Sequence, residues 1–285
     1  MKTNRIIDTH VHIWDLDRGR YSWLDGDTSI LKKSYAFQEL LPEMEAAEVT
    51  DCILVQAANT LDDTERMLRT AREYKEVIGV VGWLPLVEPE ETHNLLTSGL
   101  VSDPYFKGVR HLIHNESDPR WLLQEAVLES LKTLVEYNLP FDVVGTSTDH
   151  LETILEVAHR LPDLRMVLDH LNQPPIARGA AFGRWGELMK AAARQQNIYA
   201  KISGLGTAAA AMATWSKSDI KPYIMYVLDL FGVDRCLCGG DWPVSLLALS
   251  YKDTWKIYKE IITEELSGED QLSIWYKNAS LFYNI

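Results

Sequence analysis

Two histidines one residue apart, His10 and His12 in "IIDTHVHIWD", follow an apolar run near the start of the chain. Alternate residues of a strand project to one side, with α-carbons about 6.6 to 7 Å apart at a rise of about 3.3 Å per residue, so both rings can lean toward one ion. Imidazole suits zinc and similar borderline metals, and a carboxylate from another strand can complete an open catalytic site. Two half-buried histidines bonded only to their neighbours would read the same way in isolation. Two further groups shift the balance: His170 in "LDHLNQP" and Asp241 in "CGGDWPV" each close an apolar run far along the chain. If the fold gathers the ends of those runs, three imidazoles and a carboxylate meet at one place.

The elements that must do this are legible as an alternation. Strand-like segments "RIIDTHVHI", "DCILVQA", "VIGVVGWLPL", "FKGVRHLI", "PFDVVG", "RMVLDHL", "NIYAKISGL" and "RCLCGGDWPV" are separated by helix-period stretches such as "LDDTERMLRTAREYK" and "RWLLQEAVLESLKTLVEY". Continuous apolar strands imply burial on both faces, and crossover helices imply a parallel sheet. Eight such units predict an α/β fold, a single (β/α)8 TIM barrel, over residues 1–285 as one domain. Asn59 or Thr60 offers a helix N-cap, and Gly232 stands where the helix before the last strand should stop. The stretch from Asp15 to Ser34 is long for a βα connection and carries Tyr21, Trp23 and Leu24, as loops that shape barrel active sites do.

Composition narrows the partners. A formal net charge of −13 disfavours nucleic acid and anionic membranes. No stretch of about 18 apolar residues and no signal-like leader occurs, so a soluble, cytoplasmic protein acting on a small molecule is expected; a homo-oligomer is left open. Cys52, Cys236 and Cys238 form no C-x-x-C pair and read as reduced, buried thiols.

The motifs "DTHVHIWD", "KGVRH", "DHLNQPP", "KISGL" and "GGDWPV", in that order over essentially the whole chain, resemble the amidohydrolase superfamily. More closely they resemble its amidohydrolase-2 branch, with sugar lactonases of the fuconolactonase and rhamnonolactonase kind. The resemblance implies that His10, His12, His170 and Asp241 form the metal or metal-derived site. The fifth strand offers no histidine and the fourth ends in Arg110-His111, so the two-metal arrangement of the wider superfamily is not expected. One divalent metal, Zn or Mn, is the expected cofactor, and catalysis without a metal is the alternative.

The activity implied is a hydrolase that opens a small sugar lactone (aldonolactone) to the free acid. That reaction needs a water, a base and a group on the carbonyl oxygen. Asp241 is the expected base; with no metal bound, the histidine cluster and Arg110 would stabilise the oxyanion and His170 would be a proton donor to the leaving alkoxide. Arg110 and His111 are adjacent, so one strand can turn only one of them into the lumen. Lys201 and Asp142 are candidate substrate contacts, each equally readable as half of a buried ion pair. Trp14, Trp23 and Trp242 could wall a sugar ring, with core packing as the competing reading. The alternative reaction on the same fold is a metal-dependent decarboxylation of the amidohydrolase-2 type.

Overall fold

The computed structural model describes residues 5–178, 182–210 and 215–285. The apolar runs form eight strands: β1 (Ile7–Val11), β2 (Asp51–Val55), β3 (Val77–Gly82), β4 (Phe106–His111), β5 (Phe141–Val143), β6 (Met166–Leu168), β7 (Ile198–Ile202) and β8 (Cys236–Cys238). They pair in parallel, in chain order, in one sheet. The ring closes where β8 returns to β1. The amide of Asp241 donates to the carbonyl of His10 at 2.8 Å and that of His12 to Trp242 at 2.7 Å, while the Thr9 hydroxyl donates to the Cys238 carbonyl at 2.8 Å. The expected (β/α)8 barrel is the observed fold.

Helices return the chain from each strand to the next: α1 (Phe37–Ala46), α2 (Leu61–Glu73), α3 (Pro89–Thr97), α4 (Glu125–Glu136), α5 (Thr148–Arg160), α6 (Gly183–Ala193), the short α7 (Leu205–Ala209) and α8 (Lys217–Phe231). After β8 come α9 (Tyr251–Glu265), α10 (Gly268–Leu272) and α11 (Asn278–Tyr283). Local chemistry sets their ends. Thr60 caps α2 by accepting the Asp63 amide, and Gly232 ends α8 with a φ of +74°, a conformation that costs glycine little. Among the described residues no helix is long and apolar enough to cross a membrane. The three cysteines are unpaired and buried, and burial pushes the Cys236 thiol up to about 12, which keeps it unreactive.

The interior of the barrel departs from a regular pattern at two places. First, strict alternation would turn Ile7 and His10 to opposite faces, yet both look inward. Ile7 packs with Ile53, Val55, Val81, Val167 and Leu237 at the base of the lumen, and His10 meets side chains from across the barrel higher up. The register between β1 and β2 shifts between Asp8 and Val11, and this extra residue exchanges the faces of the strand partway along. Second, α11 stoppers the base, placing Phe282 and Tyr283 against the apolar layer. The Tyr283 hydroxyl reaches both oxygens of the fully buried Asp142 at 2.9 and 2.8 Å.

Removing that hydroxyl withdraws a donor from a buried carboxylate. Tyr283→Phe is therefore expected to lower unfolding free energy by about 1.5–3 kcal/mol, read as a lower urea midpoint at unchanged m-value.

Candidate active site

The carboxyl-end face of the barrel brings together four of the residues singled out in the sequence. His10 comes from β1 and His12 directly follows it, His170 comes from the turn after β6 and Asp241 from the turn after β8. His10 Nε2 and His12 Nε2 lie 3.1 Å apart. One oxygen of Asp241 stands 3.6 Å from His12 Nε2, 3.9 Å from His10 Nε2 and 4.0 Å from His170 Nε2. Donor atoms of His10, His12 and Asp241 all fall within 4.8 Å of one another.

The hydrogen bonds behind this cluster decide which nitrogens carry protons. His12 Nδ1 lies 2.7 Å from the carbonyl of Val55 and so donates, leaving Nε2 with a lone pair. Arg110 Nη1 donates to His10 Nε2 at 3.1 Å, which puts the His10 proton on Nδ1, 3.4 Å from Asp169 Oδ1. Two lone pairs thus face each other beside a carboxylate, an arrangement that positive charge between them would relieve. Two imidazole nitrogens on one tetrahedral zinc, at about 2.0–2.1 Å each, would stand roughly 3.3 Å apart, so the pair is already close to that separation. The residues present fit a divalent metal, with His10, His12 and Asp241 as the group able to hold it, and such an ion would take over the His10 lone pair that Arg110 now occupies.

Electrostatics follow burial. Desolvation lowers His12 well below the usual histidine range, with Arg110 adding to the effect. His10 is lowered likewise, burial outweighing the opposing pull of Asp169. Burial brings His170 down to about 4, so its ring is neutral near pH 7, and its Nδ1 pairs with the Ser203 hydroxyl at 2.9 Å. Asp241 is pushed well above the carboxylate range by burial, with Arg110 opposing.

Beneath the histidines lies a charged layer. Arg110 is the residue of its pair that faces the lumen: Nη1 also donates to Asp169 Oδ2 at 3.0 Å, and Nη2 to the carbonyl of Gln56 at 2.9 Å. Lys201, wholly buried, sits 2.6 Å from Asp142 and 3.0 Å from Asp169. Burial works against its ammonium, but the two carboxylates outweigh it and hold the pKa above the usual lysine value. Asp169 is likewise pushed up by burial and brought well below the carboxylate range by Lys201, His10 and Arg110 together. Asp142 is left at about 6 because burial dominates there.

Above the cluster opens a cavity of about 260 Å³, lined by His12, Arg110, His114, His170 and Asp241 among its polar residues and by Trp23, Leu112, Val144 and Val244 among its apolar ones. The long loop after β1 delivers Trp23, whose indole donates to the Ala57 carbonyl at 2.7 Å. The other expected substrate contacts do not line this cavity. Lys201 and Asp142 pair one layer below it. His111, on the outward face of β4, stacks on Trp121 at 4.0 Å, accepts from the Trp83 indole and pairs with Glu116. Trp14 lies edge-on behind Trp23 at 5.2 Å with its indole on the Lys33 carbonyl. Trp242 is buried against Tyr35. In each case protein takes up the polar atom or ring face, so these side chains pack and pair with their neighbours and leave the cavity to others.

Backbone shape carries part of the positioning. His170, Leu171, Asn172 and Gln173 form a run of left-handed residues with φ of 54, 51, 52 and 48°, and Asp241 has φ of 57°. Each costs on the order of 1–3 kcal/mol for a residue with a β-carbon. Gly204, at φ +60°, lets the chain leaving β7 pass beneath them, since a β-carbon there would stand 2.6 Å from His170 Nδ1 and 2.9 Å from Asp241. Sequence reasoning missed Asp169 and Asp8. Asp169 directly precedes His170, and neighbours on a strand face opposite ways; β6 ends at Leu168 and the left-handed turn lets both look inward.

The Lys201 layer yields a stability test. Lys201→Met leaves two buried carboxylates without their ammonium, and a loss of about 3–5 kcal/mol is expected in denaturant unfolding. The double variant Lys201→Met/Asp142→Leu should recover part of it.

The sequence profile of the family described as "Amidohydrolase" matches residues 7–285. An L-fucono-1,5-lactonase of Burkholderia ambifaria is 30% identical over 282 residues, covering 98% of this chain and 95% of that protein. A crystal structure of an amidohydrolase from Burkholderia multivorans with bound zinc superimposes with a TM-score of 0.88 at 26% identity, covering 99% of each chain. A manganese complex of 5-carboxyvanillate decarboxylase from Novosphingobium aromaticivorans shares the fold at a TM-score of 0.71 and 14% identity, over 100% of this chain and 97% of that one.

Proposed function

The chain belongs to the amidohydrolase family, and from that premise we propose that it hydrolyses a small sugar lactone to the free sugar acid, with Asp241 as the base. The observation that carries this reading is the convergence of the Asp241 carboxylate with His12, His10 and His170 within 4.0 Å at the floor of the cavity. Near-full-length similarity to a lactonase supports the reaction class. The cavity, at about 260 Å³, lies just below the roughly 300–1,000 Å³ typical for drug-sized ligands, which favours a monocyclic substrate.

In this reading Asp241 takes a proton from the attacking water as its oxygen bonds to the lactone carbonyl carbon. Arg110 faces the oxygen on which negative charge collects. When the ring C–O bond breaks, the departing alkoxide takes its proton back from Asp241. His170, held neutral, hydrogen-bonds instead of supplying the proton as an imidazolium. Trp23 offers an aromatic face to the less polar side of the ring. A divalent ion held by His10, His12 and Asp241, of the zinc or manganese class, would polarise the carbonyl or acidify the water toward a pKa of about 7.

The decarboxylase alternative shares only the fold. Among the described cavity-lining residues Arg110 is the one fixed cation, and Asp169 neutralises it at 3.0 Å. That pairing favours an uncharged lactone over a carboxylated aromatic acid.

A pH-indicator assay over a panel of aldonolactones tests the reaction. Acid release from at least one is expected, and none from any would overturn it. Asp241→Asn should lower kcat by about 10²- to 10⁴-fold; full activity in that variant would remove Asp241 as base. Metal analysis after dialysis against zinc should find one equivalent per chain, reduced to background in His12→Ala. Chelation should abolish turnover and zinc restore it, whereas equal rates with and without metal would remove the ion from the reaction.

A further inference from the structure

Asp8 is fully buried, outside the cavity-lining set and without a part in the proposed hydrolysis, yet its carboxylate accepts from three donors, one of them in the turn that carries the base. Oδ1 accepts the Gly240 amide at 2.8 Å and the His10 amide at 2.9 Å, and Oδ2 accepts the Tyr251 hydroxyl at 2.7 Å. The register shift in β1 turns Asp8 away from the lumen, toward β8 and α9, while its neighbours of the same parity, His10 and His12, look inward.

The contacts on either side of Asp241 belong to the same clamp. Residue 240 is held by Asp8, residue 241 donates to the His10 carbonyl, and the residue 242 carbonyl accepts from His12. Three consecutive residues are thus stitched to β1 while the middle one is left-handed at φ 57°. Gly240 makes the approach possible, since a β-carbon there would stand 2.6 Å from Asp8 Oδ2 and 2.6 Å from the Tyr251 ring. Without the Asp8 acceptor the residue 240 arm of the clamp is lost, and the bonds at residues 241 and 242 are left to hold the turn alone; relaxation of residue 241 toward ordinary backbone angles would swing the carboxylate away from His12.

We propose that Asp8 is a positioning residue that holds the Asp241 carboxylate at the histidine cluster through the Gly240 amide, with Tyr251 fixing its orientation. The proposal rests on Asp241 acting as the base for lactone hydrolysis, so its test includes an arm that needs no substrate.

Asp8→Asn, Asp8→Ala and Tyr251→Phe are compared. Asp8→Asn keeps an acceptor for both backbone amides; Asp8→Ala removes it; Tyr251→Phe keeps the carboxylate and removes one donor. Expected is a fall in kcat of at least about 100-fold for Asp8→Ala with KM within about threefold, a recovery of at least tenfold of that loss in Asp8→Asn, and a three- to tenfold fall in kcat for Tyr251→Phe. Magnitudes of this order follow from misplacing a reacting group by about 1 Å. In crystals of Asp8→Ala, Asp241 should leave the left-handed region and move away from His12. Asp241 unmoved in that crystal, or kcat of Asp8→Ala within threefold of the starting protein, would overturn the proposal. If Asp8→Ala does not fold, an unchanged kcat for Tyr251→Phe together with an unmoved Asp241 in its crystal does so instead. Inactivity of the starting protein on every lactone would overturn the reaction and not the clamp, which the crystal arm judges alone.

Discussion

An ammonium with no solvent exposure, shared between two carboxylates, is the constraint around which this barrel is arranged. Lys201 can remain charged in the lumen only because Asp142 and Asp169 both reach it, since desolvating a lone ion costs several kcal/mol. Once Asp169 is committed there, its other oxygen fixes Arg110, and Arg110 in turn claims the His10 lone pair. The tautomer of the first histidine is therefore set from below by a chain of charges of which only Arg110 reaches the cavity. Downward, Asp142 is tied to Tyr283 at the base. Floor and mouth of the lumen form one polar column inside an otherwise apolar cylinder.

Above that column, position is secured through backbone strain. Left-handed residues are concentrated after β6 and at Asp241 after β8, where His170 and the proposed base must leave their strands and face each other. The surroundings hold these turns in place: the Trp185 indole donates to the Leu171 carbonyl, Asn172 to that of Ser147, and the Asp241 carbonyl accepts the Ser245 amide. The rigidity of the site resides in these secondary bonds as much as in the strands.

The fold was legible because eight short apolar runs separated by helix-period segments admit few other closures. His10, His12, His170 and Asp241 were legible for a simpler reason: each is a polar residue at the point where an apolar run ends, and a barrel collects such points. What lay one layer deeper was not. Lys201 and Asp142 face the lumen as alternation requires, but depth along a strand is set by stagger between strands, which a single sequence does not show. Asp169 was overlooked because alternation turns it away from its histidine neighbour, and Asp8 because it lies near the start of its strand and not at the end where the site residues gather. A bulge in β1 and a left-handed turn after β6 decide where each goes, and neither has a glycine or proline within it as a marker. Trp14 and Trp242 illustrate the opposite error, since a tryptophan near a strand end packs behind the site as readily as in front of it.

The helix that stoppers the base follows all eight strands in the chain. During synthesis from the N-terminus, the lumen carboxylate Asp142 therefore exists without its phenol partner until every strand of the barrel has been made. The ring of strands can close early, while the electrostatics of its interior are settled only when that helix arrives.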